Sequence, residues 1–160
     1  MLSQGQPAEG FDFIIPSDAD FIESDESNLF KYDIEVIVNG IKGKTDQYTS
    51  LQVEVKIEPK NGQLFKKVYA SIFLPKPYID LMEVKAFTEF GLAVDDAVDI
   101  SANESNASKG LIIQRATWID NDYPDNIEEI LKQDIKIKTC WKEGVEYSIF
   151  NGKNITIKYD

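Results

Sequence analysis

Three runs of alternating apolar and polar residues between Tyr32 and Leu74 constrain the fold of this chain more than any other feature. The first run has an apolar residue at every second position from Tyr32 to Val38, and the second repeats the pattern from Leu51 to Ile57. Successive side chains of a β-strand point to opposite faces, so a period of two predicts a strand with one buried and one solvated face. This stretch therefore predicts a sheet, around which the rest of the chain is built.

The third run, from Phe65 to Leu74, has a second face that is aromatic and basic rather than simply polar. Proteins bind single-stranded nucleic acid with such residues, because bases stack on flat rings while lysines contact phosphates. The predicted nucleic-acid-binding residues are Lys42, Lys44, Lys56, Lys67, Tyr69 and Phe73. The alternative is that Tyr69 and Phe73 lie under a second apolar layer, formed by the helix or by the N-terminal segment.

Turn and helix signals complete the fold prediction. Asn-Gly pairs at 39–40, 61–62 and 151–152 favour tight turns between antiparallel strands, and residues 78–90 have helical spacing followed by Gly91. Further strands are predicted over 111–119, read as a buried strand ending in Trp118, and over 135–141, 147–150 and 155–159. This order predicts a mainly β domain with one or two helices, arranged as an OB-like antiparallel barrel. A β-sandwich or a jelly-roll-like domain is the alternative.

Residues 1–29 differ in composition from the remainder and predict an extended acidic arm. This segment contains no lysine or arginine and alternates acids with apolar residues. Residues 30–160 predict a single β-rich domain with a polar loop at about 93–109. The arm either packs its aromatic residues on the domain or docks on a partner. Its residues expected to contact a partner are Phe11, Phe13, Asp18, Asp20 and Phe21.

Composition excludes most familiar catalytic and metal sites. Histidine is absent and Cys140 is the only cysteine, so imidazole-dependent triads, the usual zinc sites and a disulfide framework cannot be built. The acidic segment 120–131 lacks the glycine and glutamate of a calcium loop, and the chain has no phosphate-binding glycine motif. We therefore predict a non-enzymatic binding protein with no cofactor and no metal. Without a long apolar run or a basic-apolar leader, we expect neither a membrane span nor a signal peptide.

Three segments resemble OB-fold single-stranded DNA-binding proteins of phage replication modules. They are FKYDIEV at 30–36, TSLQVEV at 49–55 and LMEVKAFTEFGL at 81–92. The resemblance covers about residues 30–92 and, less closely, the C-terminal strands. It implies a phage-encoded replication accessory that binds single-stranded DNA weakly and without sequence preference in the cytoplasm of a bacterial host.

The net charge of −11 supports a different class of function. A strongly acidic surface repels phosphates and attracts basic proteins, and an acidic inhibitor can mimic DNA. The alternative is therefore a phage structural (virion) or inhibitor protein that acts through protein–protein contacts of its acidic surface. The expected partners are single-stranded DNA, or a protein bound by the arm or the acidic surface. Self-association into a homo-oligomer is left open.

Overall fold

The period-two alternation forms long strands in the computed structural model, which describes residues 20–40, 42–43, 48–83, 89–92 and 94–160. In chain order the strands are β1 (Ile22–Glu23), β2 (Phe30–Asn39), β3 (Tyr48–Pro59), β4 (Phe65–Phe73), β5 (Glu89–Gly91), β6 (Val98–Ile100), β7 (Leu111–Asp120), β8 (Ile135–Trp141), β9 (Gly144–Phe150) and β10 (Thr156–Tyr159). Two short helices, α1 (Lys76–Leu81) and α2 (Ile127–Leu131), join them. The mainly β fold class with one or two helices is confirmed.

The strands form two mixed sheets. The four-stranded sheet has the order β10-β2-β3-β7, in which β10 runs parallel to β2 and the other neighbours are antiparallel. The six-stranded sheet has the order β1-β9-β8-β4-β5, and β6 pairs with another part of β4. Among the described strand pairs of this second sheet, β1 and β9 run parallel and the others antiparallel.

The two sheets bury their apolar faces against each other, as in a β-sandwich. Phe30 of β2 contacts Phe65 of β4 with ring centroids 4.5 Å apart, and it contacts Trp141 of β8 at 5.3 Å. The alternating apolar residues of β2 and β3 belong to one core cluster with those of β4 and β8. The sandwich alternative of the sequence prediction therefore fits the structure.

The OB-like barrel is corrected, because the strands of the described residues do not close on themselves. After β3 the chain crosses to the six-stranded sheet to form β4, and the second neighbour of β3 is β7. Pairing of β3 with distant β7 uses a long-range contact that alternation alone does not specify.

Pairing with distant strands also makes several segments differ from their predicted local structure. The helix predicted over 78–90 overlaps α1 only at its start, and Phe90 at its end lies in β5 opposite Ile72. Residues 84–88 of that prediction lie outside the described residues. The predicted polar loop at 93–109 contains β6, whose Ile100 is buried. Residues 20–29, assigned to the arm, contribute β1 and the buried Ser27 to the domain. The more N-terminal part of the arm, 1–19, lies outside the described residues.

Candidate functional site

Tyr69 and Phe73 lie on the outer face of the six-stranded sheet, where the predicted aromatic and basic face has a counterpart. Their cross-strand neighbours on β8 are Cys140 and Lys136. This face is largely closed, however, because Phe73 is only 6% exposed and Lys138 only 8%. The ring of Phe73 is therefore not available for stacking on a base, and Tyr69 is half-buried.

The predicted lysines do not join these two rings. Lys56 lies on the outer face of the other sheet, opposite Asp33 and Ile112. Lys42 forms an ion pair with Asp125, which lowers the pKa of that carboxyl, and its ammonium lies 5.1 Å from the centre of the Tyr123 ring. Lys44 lies outside the described residues. The structure therefore separates most of the residues that were predicted to form one face.

Lys67 occupies a left-handed backbone conformation with φ of +57° at an irregularity in β4. Its N–H donates a 3.0 Å hydrogen bond to Asp99 Oδ1. The side chain borders a cleft of about 570 Å³, whose lining residues are Lys67, Val94, Asp95, Ala97, Val98, Asp99, Asn106 and Ser108. This mainly polar cleft is separate from the rings of Tyr69 and Phe73.

Phe21, predicted to contact a partner, packs on the protein itself. Its ring meets Tyr147 edge-on at 5.6 Å, and the ammonium of Lys136 lies 5.2 Å from its centre. These contacts are with β9 and β8, and Lys136 is also the cross-strand neighbour of Phe73. Asp20 is exposed, whereas Phe11, Phe13 and Asp18 lie outside the described residues. Partner binding by this set stays a prediction.

The outer face of the four-stranded sheet is different, and we call it the open face. It consists of the odd-numbered side chains of β2 and the even-numbered side chains of β3, β7 and β10. Tyr48 is 61% exposed there and Trp118 58% exposed. Their ring centroids are 6.5 Å apart with an interplanar angle of 59°. Two large adjacent aromatic side chains thus point into solvent from a sheet face.

The backbone holds Trp118 from both sides. Trp118 lies opposite Ser50 of β3, and its carbonyl accepts a 3.0 Å hydrogen bond from the N–H of Glu83 on the other side. Met82 also bridges to Ile119, the next residue along β7. The exposed ring therefore projects from a fixed strand rather than from a free loop, which reduces the entropy lost on binding.

Sequence reasoning missed this pair, because it read residues 111–119 as a buried strand. In the structure only one side of β7 is buried, and Ile112 on the other side is 57% exposed. The signal was available in the polar residues Gln114 and Asp120, which share the parity of Trp118. Apolar Ile112 and Ala116 on that same parity obscured it.

Apart from Ile37, Ile112 and Ala116, the remaining open-face side chains are polar, with an acidic excess. Five carboxylates face three ammonium groups on the described strands; the acids are Asp33, Glu35, Glu54, Glu58 and Asp120, and the lysines are Lys31, Lys56 and Lys158. Glu35 stands directly opposite Glu54, and Lys158 Nζ lies 3.0 Å from Glu35 Oε2. Hydrogen bonding to Glu35 raises the pKa of Lys158. Beside them Gln52 donates a 2.9 Å hydrogen bond to Gln114.

The described ranges contain neither a cluster of metal ligands nor a membrane-spanning helix. No group of three or more cysteine, aspartate or glutamate side chains there is arranged to hold a metal ion. No helix in the same ranges is long and apolar enough to cross a membrane.

No family model matches the chain, and no curated protein matches it. One similar solved structure is the ligand-binding region of serine-glutamate repeat protein A of Enterococcus faecium, with 10% identity, a TM-score of 0.33, and coverage of 79% of this chain and 96% of that chain. Another is a type I cohesin–dockerin complex of Clostridium thermocellum, with 13% identity, a TM-score of 0.27, and coverage of 84% and 94%. Because both TM-scores are below 0.5, we describe the fold by its own sheet topology and not by these two structures.

Proposed function

We propose that this chain is a non-enzymatic protein-binding domain that contacts its partner through the open face. The exposed pair of Trp118 and Tyr48 carries this proposal. Single exposed apolar residues are normal, but adjacent large aromatic side chains concentrate at protein interfaces. Tryptophan and tyrosine are also the residues that most often contribute large shares of binding free energy.

Charge favours a basic protein over the other expected partners. The chain has a net charge of −11, and the open face itself has more carboxylates than lysines. Phosphate backbones are repelled by such a surface, because DNA affinity depends on cationic side chains. A second copy of this chain would bring the same acidic excess to the interface. A partner with lysines and arginines around an apolar patch complements both properties of the open face.

Single-stranded DNA binding stays a prediction from the sequence. Its proposed stacking residue Phe73 is buried, and Lys56 lies on the opposite outer face of the sandwich. These positions support the protein-binding proposal as the stronger of the two.

The proposal can be tested with a phage-displayed library of random 12-residue peptides. Peptides selected on the wild-type protein are synthesised with a fluorophore and titrated by anisotropy. We expect at least tenfold weaker binding to the Trp118→Ala/Tyr48→Ala variant, because the anchoring rings are removed. A Val145→Ala variant, which truncates an exposed apolar side chain on the other sheet, is the control and should bind like wild type. Failure to select peptides, or equal binding to the double aromatic variant, would overturn the proposal.

A further inference from the structure

The open face contains two like charges that lie directly opposite each other on neighbouring strands. Glu35 and Glu54 are directly opposite on β2 and β3, which places their Cβ atoms about 5 Å apart. Like charges in this position destabilise a sheet. Across the outer strands, Thr156 lies opposite Glu35 and the uncharged Gln114 lies opposite Glu54. Lys158, two residues after Thr156, reaches Glu35 with its side chain.

One ammonium group therefore faces two carboxylates. Lys158 forms its ion pair with Glu35, whereas the Glu54 carboxylate accepts no hydrogen bond from the described part of the chain. The nearest lysine along β3 is Lys56, which has Asp33 directly opposite it. A second cation would complete the charge balance of the pair.

We propose that Glu35 and Glu54 form the subsite that receives an arginine or lysine side chain of the protein partner; this inference rests on the function proposed above. Arginine fits best, because its planar guanidinium can donate hydrogen bonds to two carboxylate groups at once. The neighbouring Gln52–Gln114 pair is uncharged and does not repel the incoming cation.

The register gives the distance between this subsite and the aromatic anchor. Ser50, opposite Trp118, is four residues from Glu54 along β3, which corresponds to about 13 Å. An extended partner segment that follows the strand direction covers this distance in four residues. The partner is therefore expected to place an apolar residue and an arginine or lysine four positions apart.

A double-mutant cycle on the selected 12-residue peptides tests the assignment. We expect those peptides to carry the apolar and basic residues at this spacing. Replacing the basic residue of a peptide by glutamine should weaken its binding to the wild-type protein at least tenfold. The same replacement should weaken its binding to the Glu54→Gln protein less than twofold. Glu143→Gln, which removes an exposed acid in the β8–β9 turn, is the matched control and should behave like wild type.

Each outcome separates the subsite from the proposed function. Selected peptides without basic residues, or equal loss on wild type and Glu54→Gln, would overturn the subsite, while sensitivity to Trp118→Ala would keep the binding face. If no peptide depends on Trp118 or Tyr48, both fail. Glu54→Gln removes a like-charge contact, so the thermal midpoint of this variant should be no lower than that of wild type. This measurement checks separately that the variant is folded.

Discussion

The hydroxyl of Tyr32 on β2 donates a 2.9 Å hydrogen bond to Glu146 Oε1 on β9, and so joins the two sheets through the core. Its oxygen also lies 3.1 Å from Thr139 Oγ1 of β8. Burial, followed by the negative charge of Glu146, raises the pKa of Tyr32 above its ordinary value of 10.0. Tyr32 must keep its proton to donate this hydrogen bond between the sheets.

We expect Tyr32→Phe to lower the free energy of unfolding at pH 7 by about 1–3 kcal/mol, because Glu146 loses its donor. The mutation should also change the response to alkaline pH. In wild type the raised pKa gives stability that is complete below pH 10 and falls above it, since the unfolded chain then releases a proton that the folded chain retains. The loss approaches about 1.4 kcal/mol per pH unit for this one tyrosine.

Urea denaturation between pH 8 and 11 measures both effects. The difference between wild type and Tyr32→Phe should shrink as the pH rises above 10. Tyr78, whose pKa burial also raises, supplies a second alkaline loss that is common to both proteins and cancels in the comparison. A difference that stays constant with pH would contradict the assigned role of the Tyr32 proton.

Two of the Asn-Gly pairs allow a test of why glycine is present. A Cβ on Gly152 would lie 2.1 Å from the backbone oxygen of Lys132, whereas on Gly62 it would meet the flexible end of the Asn103 side chain. We expect Gly152→Ala to cost about 1–3 kcal/mol through overpacking, and Gly62→Ala to cost less than about 0.5 kcal/mol. Urea denaturation of both variants checks this order, and similar losses would contradict it.

These glycines also show how far the sequence could predict the turns. The Asn39-Gly40 pair begins the connection of the β2–β3 hairpin, and Gly40 has a left-handed φ of +142°. Gly62 instead precedes a crossing between sheets, and Gly152 provides close packing against residue 132. An Asn-Gly pair reports local turn propensity, but sheet membership depends on contacts far apart in the chain.

The alternation of apolar and polar residues was sufficient to predict the strands, but it did not locate the candidate site. The parity of β2 and β3 correctly assigned their buried faces, because a single register buries all of their apolar residues. On β4 both parities are buried toward the end of the strand, so Phe73 could not be placed from spacing alone. Trp118 was misassigned for the same reason, because the burial of a strand residue depends on whether another layer packs on its face of the sheet.

The N-terminal segment offers a test of the predicted docking arm. Ser27 Oγ accepts hydrogen bonds from the N–H groups of Phe30 and Leu29, at 3.0 and 3.2 Å, and Ser27 is fully buried. Deleting residues 1–29 removes these bonds, β1 and the packing of Phe21 on Tyr147. We expect the thermal midpoint to fall by about 5–10 °C, because two or three kcal/mol are lost. Calorimetry on this deletion and on Ser27→Ala, expected to be intermediate, measures the effect. An unchanged midpoint would support an arm that serves only for docking.

Binding of single-stranded DNA is the prediction that most directly competes with the proposed function. A labelled oligo-dT titrated by fluorescence anisotropy at low and moderate salt tests it. The protein-binding proposal leads us to expect no binding at either salt concentration, because Phe73 is 6% exposed and the net charge of −11 opposes phosphate approach. Binding that falls steeply with salt and is lost in Tyr69→Ala would instead favour the DNA-binding function. Binding that is lost in Trp118→Ala but kept in Tyr69→Ala would place the nucleic acid on the open face, since bases would then stack on the exposed rings.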